Sequence, residues 1–338
     1  MLSFHDQLRA ALEAGVPFAV GILSGVKGSS PQKQGAKALF FADGRIVGTL
    51  GGGCLEAEIQ DRARRALRTG QPATFDLLLD HDFGWDDGLI CGGRVSGVIL
   101  PRALEAASFW REVLRREQEK AWGVREDFSV GWVEETPSCS WLHQELVTPP
   151  CALWIAGSGH VAQAVAPLAL TLDFEVSVFD DRPALANPHL FPGNLRLRVG
   201  EWPSLLNDPL PPTPTFGLVV TRGHQRDALV LARWVQQPFA FLGMIGSRRK
   251  ARLIFDQFLA DRIATEAQLE QVACPVGLDI GSVSVPEIAI SIVAQLIEER
   301  AAVRERLRPA ATGTAAAKTR PRENRPAAIP LPSGASPG

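Results

Sequence analysis

The stretch Trp154-Ile155-Ala156-Gly157-Ser158-Gly159-His160-Val161-Ala162 decides the fold of the second half of this chain. Residues 153–156 form a short apolar run that reads as a buried strand, and residues 161–172 carry helical periodicity. The turn between them has the pattern GxGxxA. In such a turn Gly157 allows the tight reversal, Gly159 clears space for a pyrophosphate, and Ala162 lets the helix lie close on the strand. Asp180 ends the next apolar run, residues 175–180, at about the spacing where an acid takes ribose hydroxyls. Apolar runs at 216–221 and 239–244 are each followed by helical sequence. Residues 286–307 read as a closing helix with Pro286 in its first turn. Strand alternating with helix predicts a parallel sheet with right-handed crossovers. The fold class expected is therefore α/β, with a Rossmann-like doubly wound domain over 151–308. The sequence leaves open whether its glycines bind a nucleotide or serve packing alone.

Upstream the pattern is different. Residues 4–14 read as a helix, 18–24 as a strand, and 38–41 with 45–49 as a hairpin about Ala42-Asp43-Gly44. Leu50-Gly51-Gly52-Gly53-Cys54-Leu55-Glu56 then runs into an amphipathic helix over 56–67. Strands at 74–79 and 95–100 come next, on either side of an acidic loop. This is a mixed α+β domain over 1–102. A helix over 104–120 and a less regular, proline-bearing linker through 150 connect the halves. Residues 309–338, rich in Ala, Pro and Arg without a period, read as a disordered tail.

Composition narrows the function. A chain of 338 residues suggests two domains at about 150 residues each. A net charge of −2 gives no basic field for nucleic acid. No apolar run reaches the roughly 18 residues of a membrane span. Met1 to Gln7 lacks the charged and apolar segments of a signal peptide, which predicts a cytoplasmic protein. The five cysteines, Cys54, Cys91, Cys139, Cys151 and Cys274, are scattered and form no CxxC, so neither a disulfide framework nor a local zinc motif is expected.

Several turns are candidates for chemistry. The start of the helix after Gly51, Gly52 and Gly53 presents free N–H groups and partial positive charge, suited to an anion. Cys54 lies there, where a helix N-terminus favours thiolate, and Cys91 precedes Gly92-Gly93. Each is either a soft ligand or sulfur carrier, or a small buried residue. Gly246-Ser247-Arg248-Arg249-Lys250 places three cations in a helix first turn, against the helix dipole, which a nearby anion would offset. In Thr221-Arg222-Gly223-His224-Gln225-Arg226-Asp227, His224 and Asp227 are candidates to act on a ligand at the sheet's C-terminal edge, and Asp227 has the alternative of only supporting a helix start. Asp80, His81, Asp82, Asp86 and Asp87 form either a cation site or a solvated acidic turn. No nucleophile–base pair stands at a persuasive local spacing, so no catalytic residue is assigned.

Taken in order, these motifs resemble those of the XdhC/CoxI family, accessory proteins of xanthine dehydrogenase and related molybdenum hydroxylases. Gly28-Ser29-Ser30-Pro31 with Gly35-Ala36-Lys37 resembles the first motif, residues 48–56 through Cys54 and Glu56 the second, and Cys91-Gly92-Gly93 the third. Gly157-Ser158-Gly159-His160, residues 246–250, Pro275 to Gly281 and Pro286 to Ala289 are similar to the family's Rossmann domain. The likeness runs over about 18–307. It departs at Gln32, where arginine is frequent, and at Arg222, where many relatives carry histidine.

The resemblance implies a protein that binds molybdenum cofactor (molybdopterin), protects it, supports its sulfuration and inserts it into an apo molybdenum hydroxylase of the xanthine dehydrogenase type. A cysteine desulfurase is a further partner, and a homodimer would be in keeping. The glycine turns, Ser29, Ser30, His160, Asp180 and the 246–250 cluster would hold phosphate, pterin or nucleotide, and Cys54 and Cys91 would meet the molybdenum centre or pass sulfur. A cleft between the two domains is the expected place for such a ligand. Two other readings are an NAD(P)-dependent oxidoreductase using the Rossmann half, and a docking scaffold with no ligand.

Overall fold

The structure, a computed structural model, describes residues 4–79, 93–135 and 139–307. The acidic loop, Cys91 and Gly92, and the C-terminal tail lie outside the described residues. The chain divides between Pro149 and Pro150 into two compact units.

The first unit opens with α1 (Phe4–Ala14), which buries Leu8, Ala11 and Leu12. Next come β1 (Phe18–Lys27), β2 (Lys37–Phe41), β3 (Ile46–Gly48), α2 (Gly53–Thr69), β4 (Ala73–Leu79) and β5 (Gly93–Leu100). The five strands form an antiparallel sheet in the order β3-β2-β1-β5-β4. The hairpin turn is where the sequence places it: Asp43 accepts the Arg45 N–H at 2.9 Å, and Gly44 N–H donates to Phe41. One face of the sheet buries Leu23, Phe40, Leu50 and Val95 with Leu55 and Ile59 of α2. The other covers Phe18, Val20, Leu39 and Val98.

The region after residue 102 departs from the expected long helix. A 3₁₀ turn (Ala103–Ala106) leads into α3 (Ala107–Arg115), which ends where Arg116 turns left-handed, φ 51°. Arg116 Nε donates to the Thr148 carbonyl at 3.0 Å. Beyond this helix lies a second antiparallel sheet, β7-β6-β8, from β6 (Lys120–Arg125), β7 (Val130–Trp132) and β8 (Trp141–Val147). Glu117 to Lys120 are good helix formers, but Trp122, Val124 and Trp132 have a half-buried strand's alternation and join the core of Leu8, Phe18 and Trp110. Trp110 and Trp122 meet edge to face at 5.1 Å.

The second unit consists of β9 (Ala152–Ala156), α4 (His160–Thr171), β10 (Glu175–Asp180), β11 (Arg196–Val199), α5 (Trp202–Leu205), β12 (Thr215–Val219), α6 (His224–Trp234), β13 (Phe241–Met244), α7 (Arg248–Ala260), α8 (Glu266–Leu269), β14 (Val272–Ala273) and α9 (Val285–Leu307). Its sheet is parallel throughout, in the order β11-β10-β9-β12-β13-β14. Counted within the unit this is 3-2-1-4-5-6, the Rossmann order, and its topological switch point lies between β9 and β12. β11 was not visible in the sequence because Arg196-Leu197-Arg198-Val199 is a largely exposed edge strand. α4 and α9 cover one face through Ala162, Val165, Ala166, Ala169, Ile292 and Leu296. α6 and α7 cover the other with Trp234, Ile254 and Phe255 against Trp154 and Phe179.

Trp110 is 1% exposed and joins α3 to the second sheet. Trp110→Ala is expected to cost about 3–5 kcal/mol. Urea unfolding monitored by far-ultraviolet circular dichroism checks this, and a loss below about 1 kcal/mol would mean the tryptophan cluster is not a supporting core.

Candidate functional site

In the first unit the glycine contacts gather the separate motifs. β5 begins at Gly93 beside the Gly28-Ser29-Ser30 turn that ends β1. A Cβ on Gly93 would stand 1.9 Å from the Ser29 carbonyl oxygen, so only glycine fits. A Cβ on Gly51 would stand 3.4 Å from Pro31. The first motif thus touches both the second and the last residue of the third, Gly93. Gly51, Gly52 and Gly53 all have positive φ, 136°, 72° and 56°, which other residues rarely adopt.

Leu50, fully buried, anchors this turn, and its N–H donates to the Glu56 carboxylate at 3.0 Å. Glu56 therefore braces the turn from inside. Gly52 is the N-cap of α2, no side chain caps the helix, and Cys54 sits half-buried in its first turn. Those first-turn N–H groups are available to an anion.

Lys37, from the first motif, has an internal task. Its ammonium donates to the Gly35 carbonyl at 2.9 Å and pairs with Glu145, which also bonds the buried His143 at 3.3 Å. Burial pushes the Glu145 carboxyl up, but His143 and Lys37 together hold it below the usual range. These contacts tie the loop to the second antiparallel sheet.

In the second unit the candidate residues gather at the carboxyl ends of the parallel strands. A Cβ on Gly157 would stand 2.5 Å from the Val220 carbonyl oxygen, so the turn after β9 lies directly against the segment after β12. On Gly159 it would meet nothing within 4 Å. Gly159 caps α4 and Gly223 caps α6, in both cases without a side-chain cap. His160 and His224 are exposed at these two helix starts.

Asp180 does not stand free for a ribose, as its position in the sequence suggests. It is 1% exposed. Its Oδ2 accepts the Ser158 N–H and Oγ–H, both at 2.7 Å, and Arg182 at 2.8 Å. Its Oδ1 accepts the Arg182 N–H at 2.9 Å and Nε–H at 2.8 Å. Burial alone would raise its pKa, but Arg182 and Ser158 outweigh it and bring the carboxyl down to about 2.

Asp227 is fully buried. It accepts the Thr221 N–H at 3.1 Å and Oγ1–H at 2.6 Å, and pairs with Lys250. Of the sequence's two readings for Asp227, the structure selects support of the helix start. It also separates the three cations of α7. Lys250 is spent on Asp227, while Arg248 and Arg249 are exposed and make no ion pair among the described residues. Ser247 caps α7, accepting the Lys250 N–H at 3.3 Å. Cys274 is buried, and burial pushes its thiol up to about 11, so it is an inert thiol. No group of three or more His, Cys, Asp or Glu among the described residues is placed to hold a metal ion.

Sequence reasoning missed Arg182 and the pair Asp181–Arg226 (2.9 Å). The run Asp180-Asp181-Arg182 at a strand end was the available signal.

Family comparison agrees with this layout. Residues 153–296 match the model of the XdhC Rossmann domain, and residues 11–82 match that of the XdhC and CoxI family. The chain belongs to this family. Its relatives include a Bacillus subtilis protein named as a probable xanthine dehydrogenase subunit, 25% identical over 89% of this chain and 98% of that protein. They also include the molybdenum cofactor insertion chaperone PaoD of Escherichia coli, 26% identical over 87% of each. The E. coli protein YqeB is 29% identical over 85% of this chain, which spans only 44% of that longer relative. A solved structure described as a xanthine dehydrogenase from Bacillus halodurans has the same fold, with a TM-score of 0.78 and 24% identity over 91% of this chain and 98% of that one.

Asp180 has a depressed folded-state pKa, so its stabilisation is full above about pH 4 and is lost as pH falls toward 2. Asp180→Asn should remove about 2 kcal/mol at neutral pH and flatten the acid limb of the stability profile. Urea midpoints measured from the acid limb up to neutral pH check it; parallel wild-type and variant profiles would contradict the assignment.

Proposed function

We propose that this chain binds molybdenum cofactor and inserts it into an apo-hydroxylase of the xanthine dehydrogenase type, acting as an accessory protein rather than as a catalyst. The observation that carries this reading is the kinship with a molybdenum cofactor insertion chaperone across 87% of both chains. The site chemistry supports it. The cargo is an anionic pterin with a terminal phosphate, and both units offer helix starts whose N–H groups no side chain satisfies. Arg248 and Arg249 add exposed positive charge beside one of the glycine turns. Cys54 is a half-buried thiol in a helix first turn, a residue type and setting that suit contact with a soft metal centre or carriage of sulfur. Support of sulfuration, with a cysteine desulfurase as sulfur source, belongs to the same reading, as does a cytoplasmic location. Among the described residues no helix is long and apolar enough to cross a membrane.

Anaerobic titration of the purified chain with molybdenum cofactor, with free and bound pterin separated by ultrafiltration, tests the proposal. Near-stoichiometric retention is expected, and no retention would overturn it. Replacing Arg248 and Arg249 together by alanine is expected to weaken retention about tenfold at low salt and to reduce its salt dependence. Unchanged affinity and salt slope would remove those arginines from the site.

A further inference from the structure

We propose that the second unit is closed to the adenosine end of a dinucleotide, and that the Arg226–Asp181 pair is what closes it. A dinucleotide on a Rossmann fold requires three things: a helix start for its pyrophosphate, a free acid at the end of the second strand for its ribose, and an open crevice at the switch point. The first is present at Gly157 to Gly159. The other two are not.

The acid at the strand end is Asp180, and its two oxygens already accept five donors from Ser158 and Arg182. A carboxylate has about four lone-pair sites, so no acceptor capacity is left for a ribose diol. The next acid, Asp181, is engaged as well. Its Oδ2 accepts Arg226 Nε at 3.1 Å and pairs with the second guanidinium nitrogen at 2.9 Å, while its Oδ1 lies 3.7 Å from Arg182.

The sheet order gives this pair its consequence. Asp181 comes directly after β10 and Arg226 lies in the first turn of α6 after β12, and β9 runs between those two strands. The pair therefore bridges across the end of β9, the strand that leads into Gly157. The Asp181 side chain is 16% exposed and that of Arg226 36%, so this charge-assisted contact holds a half-buried carboxylate, and opening it would leave Asp181 facing Arg182 at 3.7 Å. The phosphate side has no such obstruction, since the space above Gly159 is open. The asymmetry is between two ends of one turn: phosphate end clear, nucleoside end shut. It holds independently of whether the chain carries molybdenum cofactor.

Calorimetric titration of the full chain with AMP and with NADH tests this. For the wild type no saturable binding stronger than about 1 mM is expected for either. Arg226→Ala, which frees Asp181 and opens the bridge, should raise AMP affinity about tenfold or more. Asp181→Ala removes the acceptor itself and should act in the same direction; circular dichroism and thermal melting establish which variants are folded, and either folded one decides. Wild-type NADH binding in the micromolar range that AMP displaces would overturn the proposal, as would folded variants that gain no affinity for AMP.

Discussion

Burying a carboxylate sets the strongest constraint on the second unit. Asp180 and Asp227 are 1% and 0% exposed, and an ion removed from water to that degree is tolerated only when donors replace its hydration. Both aspartates meet the demand in the same way. Each takes the backbone N–H and the hydroxyl of one residue in a strand-end turn, Ser158 for Asp180 and Thr221 for Asp227, and each adds a cation, Arg182 or Lys250. The donors come from turns that otherwise have few reasons to hold one shape. The burial of two acids thus fixes the glycine turn after β9, the turn after β12 and the first turn of α7 as one connected edge.

In the first unit the same work falls to steric contact. Gly93 has no room for a Cβ beside Ser29, and Gly51 lies on Pro31, so the three motifs touch through their smallest residues. Glu56 and Lys37 stabilise that gathering from within, one reaching back to the Leu50 N–H, the other holding Gly35 and Glu145. Both residues belong to motifs that look as if they should face a ligand. Glu56 Oε1 and the Lys37 ammonium are instead engaged with the protein, while the first-turn N–H groups of α2, Cys54 and the buried Ser30 hydroxyl, which has no hydrogen-bond partner among the described residues, remain open to something else.

These cases also show what a sequence can and cannot disclose. The β9–α4–β10 unit was legible because strand, glycine turn and helix are contiguous and their periodicities are strong. The sheet β7-β6-β8 was not, since its strands are short and its pairing is between residues such as Trp122 and Glu145 that lie far apart in the chain. The place of Asp180 is legible in the sequence, but its engagement is not. That position follows from spacing, whereas its saturation depends on Ser158, 22 residues earlier, and on the rotamer of Arg182. Arg226 was invisible for the same reason, being 45 residues from Asp181. Spacing identifies which residues reach a strand end; only folded geometry shows which of them are already engaged.

That distinction governs the charge the sheet edge offers to a ligand. Arg182, Arg226 and Lys250 face acids of their own unit and contribute little net field outward. Arg222, in the turn after β12, and Arg248 and Arg249, in the first turn of α7 after β13, are exposed and make no ion pair among the described residues. The unspent cations therefore lie on the β12–β13 side of the switch point, while the β10 side is neutralised internally. An anion approaching this edge is drawn toward the side where no ribose acid stands, and the helix starts at Gly159 and Gly223 add their N–H groups on the way. A ligand whose charge is concentrated at one terminal phosphate suits such a one-sided field better than a dinucleotide, which must extend toward both sides of the crevice to be held.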